Sequence, residues 1–289
     1  RFNSHCDFLS PSHLKPMRKL SSLLILCWQP VGAVMRHHTL LKGFLSREIK
    51  GRFAGSFAGI MWTMIHPLAT IIVYTFLFSV VVRIPITAEE TGTDIFLIYF
   101  LSGLFPWLMF SDGIARATMS LLGNANLITK VVFPVELLPT SSFLAGAVIN
   151  GIGLFMFLGF LVVTGHGDLA WIVLPGLIAL QLIFTWGLAL LVSALTVFIT
   201  DMQELIGIVL MVWFYGTPIL YPLSLLPDWL RPALQFNPAA LIVISYRDVL
   251  LLNVIHPASL VILLLYAVGM YLVGAIFFMR AKPAFGDVL

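Results

Sequence analysis

Charge is scarce in this chain, and six long stretches have none. Charged residues are 10% of the 289 and hydrophobic residues 60%, against ~25% and ~45–50% in an average soluble domain. Asp, Glu, Lys and Arg are all missing from 57–82, 95–111, 137–164, 169–200, 205–227 and 249–279. A soluble chain so composed would lack the polar surface to cover its core. Cysteine is nearly missing too. Cys6 and Cys27 both precede Met35, so the rest of the chain has no disulfide framework. No G-x-x-x-x-G-K-[ST] occurs, so no phosphate cradle of that kind is expected. His66 has no Cys, Asp or second His at metal-ligand spacing and is read as a packing residue.

What is present instead is apolar sequence in lengths that cross a bilayer, about 20 residues per helix. The runs are continuous rather than alternating, which fits helices and not a barrel. The fold class expected is an all-α membrane protein with six transmembrane helices. The Lys and Arg residues set its orientation. Nine precede residue 57. Arg116 and Lys130 follow the second run, and Arg280 and Lys282 follow the last, so thirteen of sixteen fall on one side. That side is expected to be cytoplasmic and to hold both termini. The net charge of +3 is thereby assigned to membrane orientation and not to nucleic acid.

Residues 1–34 differ from the rest, with frequent Ser, Pro and His and a weak signal-like stretch from Met17. They are read as an upstream or non-native extension. Residues 35–56 form an amphipathic helix on the cytoplasmic surface, with Leu41, Phe44, Leu45, Ile49 and Phe53 on one stripe. Its cations Lys42, Arg47, Lys50 and Arg52 suit the headgroup plane and the entrance of an anionic lipid head. Residues 57–289 make up the membrane domain. Gly55 and Gly59 permit close helix approach at its start. Pro67 is expected to kink the first span.

The second run is rich in aromatics and ends in an Asp112/Arg116 i,i+4 pair. The loop 116–139 is the longest cytoplasmic connection, longer than a plain connector needs. Its helical pattern around Gly123-Asn124 and its exposed apolar residues suit docking onto a partner. The external segment 221–257 is long yet apolar. One short helix is expected from Pro227-Asp228-Trp229. A second opens at Asn237-Pro238, an N-cap followed by proline at the first helical position. Both read as re-entrant helices framing an exit.

Four motifs in order carry a resemblance. They are FLSREIKGRFAGSFAGIMWTMIHPL (44–68), LITKVVFPVELLP (127–139), FITDMQE through WFYGTPILYP (198–222), and Asn237-Pro with Tyr246-Arg-Asp. Over about residues 40–289 the chain resembles the type-2 ATP-binding-cassette permeases that export O-antigen, capsule and teichoic-acid polysaccharides. The resemblance implies six spans, an N-terminal interface helix, a cytoplasmic coupling helix after span two and two periplasmic gate helices before span six. It also implies a bacterial inner-membrane homodimer working with two separate ATPase subunits. The chain then binds no cofactor, and ATP and Mg belong to the partner. The expected cargo is a lipid-pyrophosphate-linked polysaccharide, with membrane lipids around it.

Contact with the ATPase subunit falls to Leu122, Asn124, Asn126, Leu127, Lys130 and Val131. Aromatic rings stack on sugar faces, so Tyr99, Phe105, Trp107, Phe110, Trp213, Phe214, Tyr215 and Tyr221 are the candidate lining of the substrate channel. Trp229 joins them near the exit. Two other classes are compatible with an apolar polytopic chain. A secondary transporter would keep ionisable groups at mid-membrane and often repeats. A membrane-embedded glycan- or lipid-modifying enzyme would need a clustered base or metal site. Asp112, Asp201 and Glu204 are scattered at span ends instead.

Overall fold

The computed structural model describes residues 15–52, 61–83, 85–165 and 167–289, all helix, turn or irregular chain with no strand among them. The elements are α1 (Lys15–Arg36), α2 (His38–Gly51), α3 (Trp62–Thr75, running on as a π-helix through Phe76–Val81), α4 (Ala88–Thr91) and α5 (Phe96–Met119). After a 3₁₀ turn at Leu122–Asn124 come α6 (Ala125–Lys130), α7 (Leu137–Val163), α8 (Leu174–Phe198) and α9 (Met202–Tyr215). Then α10 (Pro238–Arg247) continues as a π-helix through Asp248–Leu252, followed by α11 (Pro257–Ala281) and α12 (Phe285–Val288). Phe53 and the Gly55/Gly59 pair lie outside the described residues.

Among the described residues, four helical stretches are long and apolar enough to cross a membrane: Ala88–Met119, Leu137–Val163, Leu169–Phe198 and Pro257–Val288. The fifth run gives a shorter apolar helix, Met202–Tyr215, and the described part of the first run is helical over 62–81. At 1.5 Å per residue α9 is about 21 Å long, short of the ~30 Å hydrocarbon layer. The fifth run had been expected to be continuous. It stops at Tyr215, just before Pro218, which lacks an N–H and disfavours helical backbone in the residue before it, and Pro222 repeats the signal. The helix of the second run instead overshoots Ser111 and carries Asp112 and Arg116 to its end at Met119.

At the centre of the bundle, α5 packs against α7 and α8, and α8 against α11. Two glycine contacts set these distances. A Cβ on Gly146 of α7 would stand 2.8 Å from the Gly113 nitrogen of α5, and one on Gly187 of α8 would stand 2.5 Å from the Tyr271 backbone of α11. Gln181 of α8 is fully buried and donates to the Pro106 carbonyl of α5 at 2.7 Å, a polar tie across an otherwise apolar seam. On the outer flank α1 lies along α11, where the Tyr271 hydroxyl donates to the Cys27 carbonyl at 2.9 Å.

Candidate functional site

Two groups of side chains at opposite ends of the bundle carry the chemistry. The first joins α2, the 120–135 loop, α5 and α7. Amphipathic spacing buries Leu41, half-buries Phe44, Leu45 and Ile49, and leaves Lys42 and Lys50 exposed. Arg47 donates to the Asn124 side chain at 2.6 Å and lies over the Phe44 ring at 5.2 Å. Ser142 of α7 donates to Glu48 at 3.0 Å. Asp112 collects Arg116 at 3.0 Å, the Asn150 amide at 3.1 Å and Arg52 at 3.3 Å. Burial lowers the Arg52 pKa more than Asp112 raises it. Around these groups lies a polar cavity of about 470 Å³. Of the four cations assigned to a lipid entrance, Arg47 and Arg52 are therefore engaged by their own chain, while Lys42 and Lys50 face outward.

The loop after α5 is helical where its pattern predicts. Leu122 and Asn124 are half-buried, and Asn126 and Lys130 are exposed. Leu127 packs inward against the cluster of Leu121, Val135 and Phe285. Val131 is 50% exposed and Val132, which sequence reasoning passed over, is 105% exposed. Its neighbour Phe133 turns inward onto Phe44, ring centroids 5.8 Å apart.

The second group surrounds the break after α9. Asn237 caps α10, its side-chain oxygen accepting from the Ala239 and Ala240 amides at 3.0 and 3.2 Å, as the Asn-Pro pair predicts. The same oxygen accepts from Trp213 Nε1 at 2.7 Å, so the cap also pins α9. The segment expected to start a helix at Pro227 forms turns and then a 3₁₀ helix at Arg231–Phe236. Burial pushes Asp248 up to about 6, against the pull of His256 and Arg247.

The candidate aromatics fall into layers. Tyr99, Trp107 and Phe110 are 3%, 5% and 1% exposed, held inside this chain. Phe105 turns the other way, onto Phe157 of α7 with centroids 5.7 Å apart. Trp213 meets Phe110 edge-on at 5.2 Å, and Trp107 backs Phe214 at 5.7 Å. Of the eight candidates on or beside α5 and α9, Tyr215 is the well-exposed one, at 54%. Phe214 and Tyr221 are half-buried. The Tyr221 hydroxyl donates to the Tyr215 carbonyl at 3.0 Å, and the Tyr215 and Tyr74 hydroxyls meet at 3.4 Å. Trp229 is 77% exposed. Tyr74 had not been singled out, because one tyrosine in an apolar run has no local mark. Only the fold sets it beside Phe214, at 6.0 Å. No group of three or more His, Cys, Asp or Glu suited to a metal occurs among the described residues.

The sequence profile of the family described as "ABC-2 type transporter" matches residues 39–251. Curated relatives fall in the same class. An O-antigen export system permease protein RfbA of Klebsiella pneumoniae is 28% identical over 252 residues, covering 86% of this chain and 95% of the relative. The RfbA of Myxococcus xanthus is 31% identical over 226 residues, covering 76% and 83%. The polysialic acid transport protein KpsM of Escherichia coli is 24% identical over 212 residues, covering 70% and 77%.

Proposed function

The chain belongs to the ABC-2 type transporter family, and from that premise we propose that it is the permease subunit of an ATP-driven exporter moving a lipid-linked polysaccharide across the bacterial inner membrane. It is not itself catalytic. Hydrolysis, with its ATP and Mg, belongs to a separate ATPase subunit. The observation that carries this reading is the extent of the family match, from α2 through the docking loop and the broken external segment to Leu251.

The working unit is a homodimer with two ATPase subunits. Six spans place both termini, α2 and α6 on the cytoplasmic face, where thirteen of the sixteen Lys and Arg residues gather. The permease occupies 57–289, with α2 as its interface helix and α1 lying along α11. Lys42 and Lys50 offer exposed cations to the anionic head of the carrier lipid. The ATPase engages the 122–132 loop, with Val131 and Val132 as apolar contacts and Asn126 and Lys130 beside them. Arg47–Asn124 and Arg52–Asp112–Arg116 then tie that loop and α5 to α2, so a thrust on the loop reaches the interface helix.

The path for the glycan runs along α3 and α9, where Tyr74, Phe214, Tyr215 and Tyr221 form a strip. Trp107 and Trp213 support it from behind. Each stacking contact with a ring is modest, ~1–3 kcal/mol by analogy with bases on aromatic platforms, so a polymer can slide without being held. Co-purification with the ATPase subunit and stimulation of its hydrolysis by lipid-linked glycan tests the reading. Hydrolysis that ignores the glycolipid argues against it.

A further inference from the structure

Arg247 is a buried cation whose nearest acid, Asp248, acts on it only through space and forms no ion pair with it. It is 7% exposed, and among the described residues no carboxylate lies within ion-pair distance of it. Its five donors are spent on dipoles instead. Nη1 donates to the Tyr99 hydroxyl at 2.7 Å and to the Pro218 carbonyl. Nη2 donates to the Ile219 carbonyl at 2.8 Å and the Tyr99 carbonyl at 3.3 Å. Nε faces Ser102 Oγ at 3.4 Å. The guanidinium stacks 3.6 Å over the Tyr99 ring. Gly103 makes the room, since a Cβ there would stand 2.8 Å from Nη2.

These partners are specific. Pro218 and Ile219 belong to the turn where α9 breaks, and a broken helix leaves carbonyls that must be satisfied. Tyr99 and Ser102 belong to α5. Arg247 therefore joins three elements: the long span α5, the outer helix α10 and the irregular turn between α9 and the exit. The contact continues outward. The Tyr99 hydroxyl accepts from Arg247 and donates to the Tyr221 carbonyl at 2.7 Å, while the Tyr221 hydroxyl donates to the Tyr215 carbonyl. An apolar side chain of like volume would fill this space without the cost of desolvating a charge. What only the planar, always-charged fork supplies is simultaneous hold on both carbonyls and the phenol.

We infer that Arg247 is a positioning residue that latches the 216–221 turn, and with it Tyr215 and Tyr221, against α5, and so holds the outer mouth of the path closed at rest. The latch rests on the permease reading only for its effect on export, and its structural effect is read separately. The bonds act together, so the turn is either held or released.

The test uses the permease reconstituted with its ATPase subunit, carrying Cys6→Ser, Cys27→Ser and Leu220→Cys. Leu220 is 3% exposed, so its thiol is shielded while the turn is latched. With Arg247 in place a membrane-impermeant maleimide added outside labels it slowly. Arg247→Met, which keeps volume and removes the donors, is expected to speed labelling about tenfold to a hundredfold, the shift in opening expected when hydrogen bonds to a charged group are lost. Arg247→Lys, which cannot span both carbonyls, is expected to restore little. Unchanged labelling in an assembled Arg247→Met complex overturns the latch. If that variant does not assemble, Tyr99→Phe decides, because it keeps the ring under the guanidinium and deletes only the hydroxyl between Arg247 and Tyr221. Faster labelling supports the latch and parental labelling overturns it. Loss of glycan export with unchanged labelling also refutes the latch while leaving the permease reading intact.

Discussion

Replacing Val132 with Asp separates a docking role for the 122–132 loop from a structural one. Val132 is fully exposed, so Val132→Asp should leave the folded permease unaltered. On docking, the valine would contribute roughly 1 kcal/mol or more of its ~1.5–3 kcal/mol burial value. The carboxylate loses that and adds about 1–3 kcal/mol for a polar group buried without a partner. The sum, ~2–4 kcal/mol, weakens ATPase binding about 30- to 700-fold. Leu127→Asp is a different experiment. Leu127 is half-buried against the cluster that includes Leu121, Val135 and Phe285, so its replacement by a carboxylate costs roughly 1–3 kcal/mol or more of fold stability and lowers yield before docking is tested. The assay is titration of detergent-solubilised permease with purified ATPase subunit, with thermal melting of the permease measured alongside. Val132→Asp should melt like the parent and bind weakly. Parental affinity in Val132→Asp refutes the assignment of the loop as the apolar dock.

Other expected outcomes follow from contacts already described. Gly187→Ala puts a methyl 2.5 Å from the Tyr271 backbone and should destabilise the α8–α11 pair by ~1–3 kcal/mol or more. Gly176→Ala on the same helix meets nothing within 4 Å and should be neutral or slightly stabilising in the same melting assay. Tyr215→Ala should cut surface glycan at normal protein levels, whereas Trp107→Ala, buried behind Phe214, should reduce folded protein first, as immunoblots at matched expression would report. The Asp248 pKa is raised from 3.8 to about 6 by burial, so its stabilising contribution is complete below 3.8 and is lost as pH rises through about 6. In a His256→Gln background, protection factors of the 238–252 amides, taken relative to the intrinsic exchange rate at each pH, should be higher near pH 5 than near pH 7.5, and Asp248→Asn should flatten that difference.

Local signals were legible, and distant pairings were not. The third run ends within a residue of α7 because bilayer length and apolarity together leave little freedom. Asn237-Pro238 marks the start of α10, and Asp112 and Arg116 pair as their spacing predicts. The break after Tyr215 was written in Pro218 and Pro222 but hidden by uninterrupted apolarity. The roles of Arg247 and Gly187 had no local trace. The partners of Arg247 lie 28 to 148 residues away, and Gly187 depends on Tyr271 and Gly274 in another helix. The aromatic candidates were chosen by type, yet only the fold separates Tyr215, which is exposed, from Trp107 and Phe110, which are buried.

Transport itself can be read in inverted vesicles that contain this chain, its ATPase subunit and a lipid-linked glycan labelled on the outer leaflet. On addition of ATP the account predicts that the label becomes inaccessible to an added glycosidase, and that it stays accessible without ATP or with an ATPase subunit unable to hydrolyse it. ATP-independent protection, or none while the assembled complex hydrolyses ATP in response to the glycolipid, would contradict it.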